Sequence, residues 1–107
     1  MITVFIKELK FKAIIGLLDF ERVDEQEVVM SANMSSFNGE FIDYAIACEI
    51  IKKTVQNGRF ETVEEALSEC AKNLKSSFSF LKSLRLEISK PNILPNTVVG
   101  AKIELEF

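Results

Sequence analysis

The sequence predicts an α+β domain in which two helices cover one face of a four-stranded antiparallel sheet, in the order β-β-α-α-β-β. Two observations lead to this prediction. Apolar and polar residues alternate near both ends of the chain, with the period of two that is typical of half-buried strands. Between these segments, apolar residues recur every three or four positions, as in amphipathic helices. With 107 residues, the chain is expected to form a single domain, 1–107, around one core.

The first two strands are expected to form a hairpin. The segment from Thr3 to Ile15 alternates apolar and charged residues, and a change of phase near Lys7 predicts a bulge or bend. A loop follows from Gly16, and the extended pattern resumes at Glu25. The simplest arrangement pairs these two strands in antiparallel orientation.

The two helices are expected in the middle of the chain. The first is predicted to begin near Tyr44 and to end at Gly58. Thr62 and Glu65 have the spacing of a capping box, which predicts the start of the second helix. The apolar stripe of the first helix comprises Ile46, Ala47, Ile50, Ile51, Thr54 and Val55, and that of the second comprises Val63, Ala66, Leu67, Cys70, Ala71, Leu74 and Phe78.

The last two strands draw attention to one lysine. In the strand SLRLEISK, Leu84, Leu86 and Ile88 share one face, and alternation places Lys90 on that same apolar face. Pro91 is expected to end the strand, before the turn PNILPN and the final strand TVVGAKIELEF. Partial burial would weaken the preference of the Lys90 amine for its charged form. Alternatively, the side chain simply extends its ammonium into water past the last aliphatic residue.

Composition excludes several classes of function. The 13 basic and 16 acidic residues give a net charge of -3 without a basic run, so nucleic acid is not expected as a partner. No apolar run approaches the length of about 20 residues that spans a bilayer, and no signal peptide is recognisable, so a cytoplasmic protein without a membrane partner is expected. The absence of histidine excludes histidine-based triads and most catalytic zinc sites. Cys48 and Cys70 lack CxxC spacing and are expected to be reduced thiols.

Three further polar side chains are candidates for chemistry. Glu21 lies in the loop GLLDFERVDEQ, Tyr44 opens the first predicted helix, and Glu64 lies in the first turn of the second. Each also has an ordinary structural explanation. Glu21 would belong to a solvated acidic turn, Tyr44 would cap the core, and Glu64 would complement the helix dipole. Taken one at a time, these residues leave both interpretations open.

Four segments carry a more specific signal as a set: FIKELKFKAIIGLLDFERVDEQ, IDYAIACEIIK, TVEEALSECA and LEISKPNILPNTVVGAKIE. Over essentially its whole length, the sequence resembles the dihydroneopterin aldolase family of folate biosynthesis. In chain order, the matching residues are Gly16, Glu21 and Gln26, separated by four residues each, then Tyr44, Glu64 and the lysine of the SKP motif, Lys90.

The resemblance implies a fold and an activity. The family has the T-fold, whose subunits pair edge to edge into a tetrameric barrel, often stacked into octamers, with active sites between subunits. Its members cleave dihydroneopterin by a retro-aldol reaction to hydroxymethyl-dihydropterin and glycolaldehyde. This acid/base reaction needs neither a cofactor nor a metal nor a Schiff base, because the dihydropterin ring imine accepts the electrons. A small-molecule pterin and further copies of the same chain are therefore the expected partners.

The resemblance also implies roles for individual residues. Glu64 would anchor the aminopyrimidine edge of the pterin, while Lys90 and Tyr44 would be catalytic. Glu21 would contact the reacting end from an adjoining subunit. Backbone groups near Ile42 and Val63 would contribute to substrate binding.

The sequence also departs from the family at two positions. Phe41 stands where many members have a threonine, and Ile15 where many have a histidine. These departures indicate a divergent aldolase or an altered pterin preference. Two alternatives to the aldolase also remain at this level. One is an epimerase or oxygenase that acts on a related dihydropterin, and the other is a non-catalytic ligand-binding domain of ferredoxin-like shape.

Overall fold

The computed structural model describes residues 1–107 and has the predicted order of elements. The strands are β1 (Val4–Ala13), β2 (Gln26–Ser36), β3 (Leu81–Leu94) and β4 (Thr97–Glu106), and the helices are α1 (Tyr44–Gly58) and α2 (Val63–Ser77). Two short 3-10 turns, Asp19–Arg22 and Phe37–Gly39, lie in the connections before β2 and after it.

The sheet is fully antiparallel, and its strands follow one another in space in the order β1-β2-β3-β4. Both helices are inserted in the connection between β2 and β3, which are nevertheless neighbours in the sheet. A ferredoxin-like domain has the chain order β-α-β-β-α-β instead. The ferredoxin-like alternative is therefore wrong, and the β-β-α-α-β-β prediction is confirmed. The free edges of the sheet are β1 and β4.

The predicted change of phase in β1 is a β-bulge. The pairing with β2 shifts between Ile6 and Leu9, and Glu8 has a left-handed backbone with φ of 57°. Because one extra residue reverses the alternation, Ile6 faces the core before the bulge, and Leu9 and Phe11 face it afterwards. The bulge thus keeps this row of apolar side chains on the helix-covered face, whereas Phe5 lies on the opposite face and is 65% exposed.

The core lies between the sheet and the two helices. Leu84, Leu86 and Ile88 of β3 are buried, as alternation predicted. The α2 stripe is buried from Ala66 to Leu74, whereas Ile46 of the α1 stripe is half exposed, so that α1 packs through a narrower stripe than predicted. The opposite face of the sheet is polar and includes the Arg85–Glu104 ion pair, with 3.3 Å between Nε and Oε1.

The helix ends follow their capping residues. The Asp43 carboxylate accepts hydrogen bonds from the first N–H groups of α1, and Arg59 ends that helix in a left-handed conformation, with φ of 47° and ψ of 48°. The Thr62 hydroxyl accepts a hydrogen bond from the Glu65 N–H and donates one to the Glu65 carboxylate, which confirms the predicted start of α2. Neither helix has the length and apolar character needed to cross a membrane.

The end of β3 differs from the prediction. The strand does not stop at Pro91 but continues to Leu94. Pairing with β2 ends at Ser89, so β3 and β4 extend beyond the sheet as a two-stranded ribbon. The register with β4 is irregular between Lys90 and Leu94, and Pro91 falls in this interval, where a missing backbone donor breaks no regular ladder bond.

Candidate active site

The Glu21 carboxylate is buried at the centre of a polar cluster. The side chain lies in the Asp19–Arg22 turn and is only 3% exposed, so the interpretation as a solvated acidic turn is wrong for this residue. Its Oε2 atom accepts hydrogen bonds from Lys90 Nζ at 2.8 Å and from Gln26 Nε2 at 2.7 Å. Its Oε1 atom accepts a third from the Leu18 N–H at 3.3 Å.

The packing of Glu21 requires a glycine at position 16. A Cβ atom on Gly16 would lie 2.1 Å from the Glu21 carboxyl carbon, and Gly16 has a φ of +132° that residues with side chains rarely adopt. The carboxylate therefore lies directly against a glycine backbone. Gln26 completes the unit, because its Nε2 group bridges Glu21 and the Ile15 carbonyl, the latter at 2.8 Å. The glycine, glutamate and glutamine of the motif thus form one packed unit.

Lys90 lies on the apolar face of β3, as alternation predicted. Its side chain is 15% exposed and forms a buried ion pair with Glu21. The alternative in which the ammonium simply extends into water is therefore wrong, since a carboxylate supplies its counter-charge. The contact is made within one chain. Glu21 therefore enters any site from the same subunit as Lys90, and not from an adjoining subunit as the resemblance implied.

The surroundings of Glu21 hold it in the ionised form. Burial by itself raises the pKa of this carboxyl. The hydrogen bonds from Lys90, Gln26 and the Leu18 N–H, together with the charge of Lys90, outweigh burial and lower the pKa below the ordinary glutamate value. The cluster is therefore a carboxylate–ammonium pair at neutral pH.

This lowered pKa makes stability depend on pH in acid. Because the Glu21 pKa is lower in the folded than in the unfolded chain, the pair stabilises the fold above pH 4.5, the unperturbed value, and this contribution is lost as pH falls through the folded-state pKa. We expect denaturant titrations between about pH 7 and pH 3 to show a smaller acid-induced loss of unfolding free energy in Glu21→Gln than in the parent. Asp24→Asn is the control, because it removes an exposed carboxyl just after the same turn; it should lose as much unfolding free energy in acid as the parent. Equal pH slopes for Glu21→Gln and the parent would contradict the assignment.

Val63 and Glu64 lie at the same end of the molecule as Lys90. The Gly16 N–H donates to the Phe60 carbonyl at 3.0 Å, which joins the loop carrying Glu21 to the connection between α1 and α2. Helix α2 begins three residues later, with Glu64 exposed in its first turn. We call this region, with Glu21, Val63, Glu64 and Lys90, the lysine end.

Tyr44 and Ile42 lie at the opposite end of the molecule from Lys90. Tyr44 is 62% exposed, and together with Phe41 and the buried Ile42 it lines a cavity of about 560 Å³. The same cavity reaches Lys82 at the start of β3, roughly 26 Å along an extended strand from Lys90. We call this region the tyrosine end. The structure therefore does not bring Tyr44 and Lys90 together within one chain.

Comparison with known proteins identifies the family. A family model described as dihydroneopterin aldolase (FolB) matches residues 4–106. The chain belongs to the dihydroneopterin aldolase family. The dihydroneopterin aldolase of Escherichia coli K12 is 30% identical, in an alignment that covers 94% of this chain and 90% of that protein. The similarity thus extends over nearly the whole length of both proteins.

Solved structures of dihydroneopterin aldolases share the fold. The Escherichia coli enzyme in complex with neopterin superposes with a TM-score of 0.89 at 30% identity, covering 98% of this chain and 99% of that chain. A FolB chain from Vibrio cholerae superposes with a TM-score of 0.91 at 28% identity, covering 100% of this chain and 98% of that chain. These matches confirm the T-fold for this member of the dihydroneopterin aldolase family.

Two contacts of this dihydroneopterin aldolase family member were not predicted. Gln26 was part of the sequence motif, but nothing in the sequence showed that its amide would bind the Glu21 carboxylate; the equal spacing of the motif was the available signal. Arg22 was not singled out, yet its guanidinium binds three backbone carbonyls.

No group of three or more His, Cys, Asp or Glu side chains forms a candidate metal site.

Proposed function

We propose that this chain is a dihydroneopterin aldolase of folate biosynthesis that uses Glu21, Tyr44, Glu64 and Lys90 in an active site shared between two subunits. Family membership supports the reaction. The buried Lys90–Glu21 pair, with 2.8 Å between Nζ and Oε2, is the observation that carries the mechanism. The substrate is a dihydropterin, in keeping with the neopterin bound by the Escherichia coli relative.

Glu64 binds the pterin ring. A pterin presents a ring N–H beside an exocyclic amine, and one carboxylate accepts both hydrogen bonds in a bidentate manner. Glu64 is exposed and engages no cation of its own chain in an ion pair, so its oxygens are available to a ligand. The Val63 backbone beside it, and the Ile42 backbone from a neighbouring subunit, contribute further polar contacts.

Lys90 and Tyr44 move protons during the retro-aldol cleavage. A base removes the proton of the side-chain hydroxyl, the carbon–carbon bond breaks, and its electron pair passes into the conjugated ring imine. Glycolaldehyde leaves, and an acid returns a proton to the carbon that remains on the ring. Lys90 is the proton donor near the ring imine, acting through a water molecule, and Tyr44 completes the proton path. Glu21 holds the ammonium of Lys90 at the reacting end.

The separation of the two ends supports a shared site. Tyr44 lies at the tyrosine end and Lys90 at the lysine end, so a complete set of residues requires two chains. Both β1 and β4 have an unpaired edge that another chain can extend. Edge-to-edge pairing into a homotetrameric barrel, or two such barrels stacked as a homo-octamer, brings the tyrosine end of one subunit to the lysine end of its neighbour.

Mixing two inactive variants tests the shared site. We expect Tyr44→Phe and Lys90→Ala to be nearly inactive alone. After co-refolding in equal amounts, activity should recover to about one quarter of the parent value, because about one site in four receives both native residues. Co-refolding Tyr44→Phe with Tyr44→Phe, Lys90→Ala double-variant chains is the control and should recover nothing. Absence of recovery in mixed oligomers of confirmed composition would contradict a site between chains.

Product analysis tests the reaction itself. Purified protein incubated with dihydroneopterin should release glycolaldehyde and hydroxymethyl-dihydropterin in equal amounts. Folded protein that yields only the epimer of dihydroneopterin would indicate the epimerase alternative, and oxygen-dependent consumption without glycolaldehyde would indicate the oxygenase.

We further propose that the enzyme acts in the cytoplasm. Cys48 and Cys70 form no disulfide, as is usual for proteins of reducing compartments. Burial raises the pKa of the Cys70 thiol to about 12, so this cysteine remains a protonated core side chain.

A further inference from the structure

Arg22 makes an unusual set of contacts beside the candidate catalytic pair. Its Nη1 atom donates to the carbonyls of Gly16 at 3.2 Å and Phe60 at 3.0 Å, and its Nη2 atom donates to the carbonyl of Arg59 at 2.7 Å. No carboxylate forms an ion pair with the guanidinium. The side chain therefore connects the loop of Glu21 to the α1–α2 connection entirely through backbone oxygens.

The acceptor carbonyls are held in place by the end of α1. Arg59 leaves the helix in a left-handed conformation, after which its own carbonyl and that of Phe60 both accept bonds from Arg22. The Phe60 carbonyl also accepts the Gly16 N–H at 3.0 Å. Basic side chains can satisfy free carbonyls at the C-terminal end of a helix. The connection thus offers a fixed acceptor surface, and Thr62 starts α2 directly after it.

Little else within the chain holds the Asp19–Arg22 turn. Leu17, Leu18 and Phe20 are each more than half exposed, so apolar burial does not fasten this loop to the core. Polar contacts remain: those of Arg22, the Gly16 N–H bond, and the bonds that Glu21 itself receives. The Gly16 N–H bond holds the start of the loop against the α1–α2 connection, whereas the Arg22 side chain fastens the turn itself to that connection.

We propose that Arg22 is a positioning residue for the reaction: by fastening the turn to the α1–α2 connection, it keeps the Glu21 carboxylate aimed at Lys90 and fixes Glu21 relative to the helix that carries Glu64. Because Arg22 follows Glu21 directly in the same turn, loss of the guanidinium bonds would free the backbone that carries the carboxylate. This role rests on the proposed function, because it concerns the residues assigned to that reaction.

The geometry requires an arginine. The planar guanidinium presents donors in two directions at once, and it uses both Nη atoms on carbonyls of different residues. An ammonium is a compact donor on a flexible stem, and a lysine at this position would present one nitrogen where the arginine uses two. Arg22→Lys therefore keeps the charge but loses the geometry, which makes it the informative variant beside Arg22→Gln.

The kinetic test compares Arg22→Gln, Arg22→Lys and the parent. We expect kcat for dihydroneopterin cleavage to fall about ten- to hundredfold in Arg22→Gln, with only partial recovery in Arg22→Lys, because small misplacements of catalytic groups have effects of this size. The acid limb of the kcat/KM profile should move to higher pH as Glu21 loses its donors. Lys53→Gln, which removes an exposed charge from α1, should match the parent. Thermal unfolding confirms that each assay uses folded protein.

A second measurement does not depend on activity. Carbon NMR of glutamate-labelled protein, with Glu21 identified through Glu21→Gln, should show that the Glu21 pKa rises toward 4.5 in Arg22→Gln. An unchanged Glu21 titration in folded Arg22→Gln would overturn the positioning role, whatever the kinetics. Parent-like kcat and an unmoved acid limb would also overturn it. Failure of the parent to release glycolaldehyde would contradict the proposed function alone, since the NMR result still decides the role of Arg22.

Discussion

Lys90→Ala is expected to lower kcat by roughly two to four powers of ten, while the dissociation constant for neopterin changes little. The proposed task of Lys90 is proton donation at the reacting end, whereas binding of the pyrimidine edge of the pterin is proposed for Glu64. Stopped-flow or steady-state assays of glycolaldehyde release give kcat, and titration of neopterin fluorescence gives the binding constant. Full activity of a folded Lys90→Ala protein would remove the central residue of the mechanism.

This substitution also affects stability, and the effect needs its own control. The Glu21 carboxylate is only 3% exposed in the parent, and the variant leaves it without its cation, which costs about 3 kcal/mol of unfolding free energy. The double variant Lys90→Met, Glu21→Gln replaces the pair with uncharged side chains of similar volume. We expect it to recover most of the lost stability but none of the activity. Recovery of both would indicate that the pair has only a structural role.

Glu64→Ala is expected to weaken neopterin binding by at least about a hundredfold, because the variant loses two hydrogen bonds to a charged acceptor. Calorimetric titration measures the change directly. Stability should change little, since Glu64 is exposed and contributes only a carboxylate in the first turn of α2. Glu61→Ala, which removes an exposed carboxylate just before the same helix, should bind like the parent. Parent-like binding by Glu64→Ala would exclude Glu64 as the pterin anchor.

The sequence predicted those features that depend on local pattern. Alternation placed Lys90 on the apolar face of its strand, the phase change near Lys7 located the bulge in β1, and Thr62 marked the start of α2. Each of these follows from the intrinsic period of a strand or from the capping of a helix end. The order of elements was predictable because the period of apolar residues distinguishes each strand from each helix.

The features that escaped prediction depend on contacts between distant residues. Spacing alone favoured a solvated turn for Glu21, because the side chains that bury and neutralise it come from other elements, with Lys90 the furthest along the chain. Pro91 was expected to end β3, but whether a proline interrupts a strand depends on the register of its neighbour. The separation of Tyr44 from Lys90 likewise depends on the pairing of β2 with β3, which places the end of β2, and Tyr44 shortly after it, beside the start of β3 rather than its end. Candidate catalytic residues can be recognised from the local sequence. Their distances from one another depend on the tertiary fold and could not be predicted in this way.

Tyr44 and Lys90 lie at opposite ends of the folded subunit, and the proposed activity therefore depends on protein concentration. In the proposed shared site, an isolated subunit would hold two incomplete halves of different sites, and its specific activity should therefore fall toward zero on dilution below the dissociation constant of the assembly. A chain defective at both ends would inactivate two sites, one with each neighbour, so a minority of such copies would lower the activity of a mixed population by up to about twice their own share.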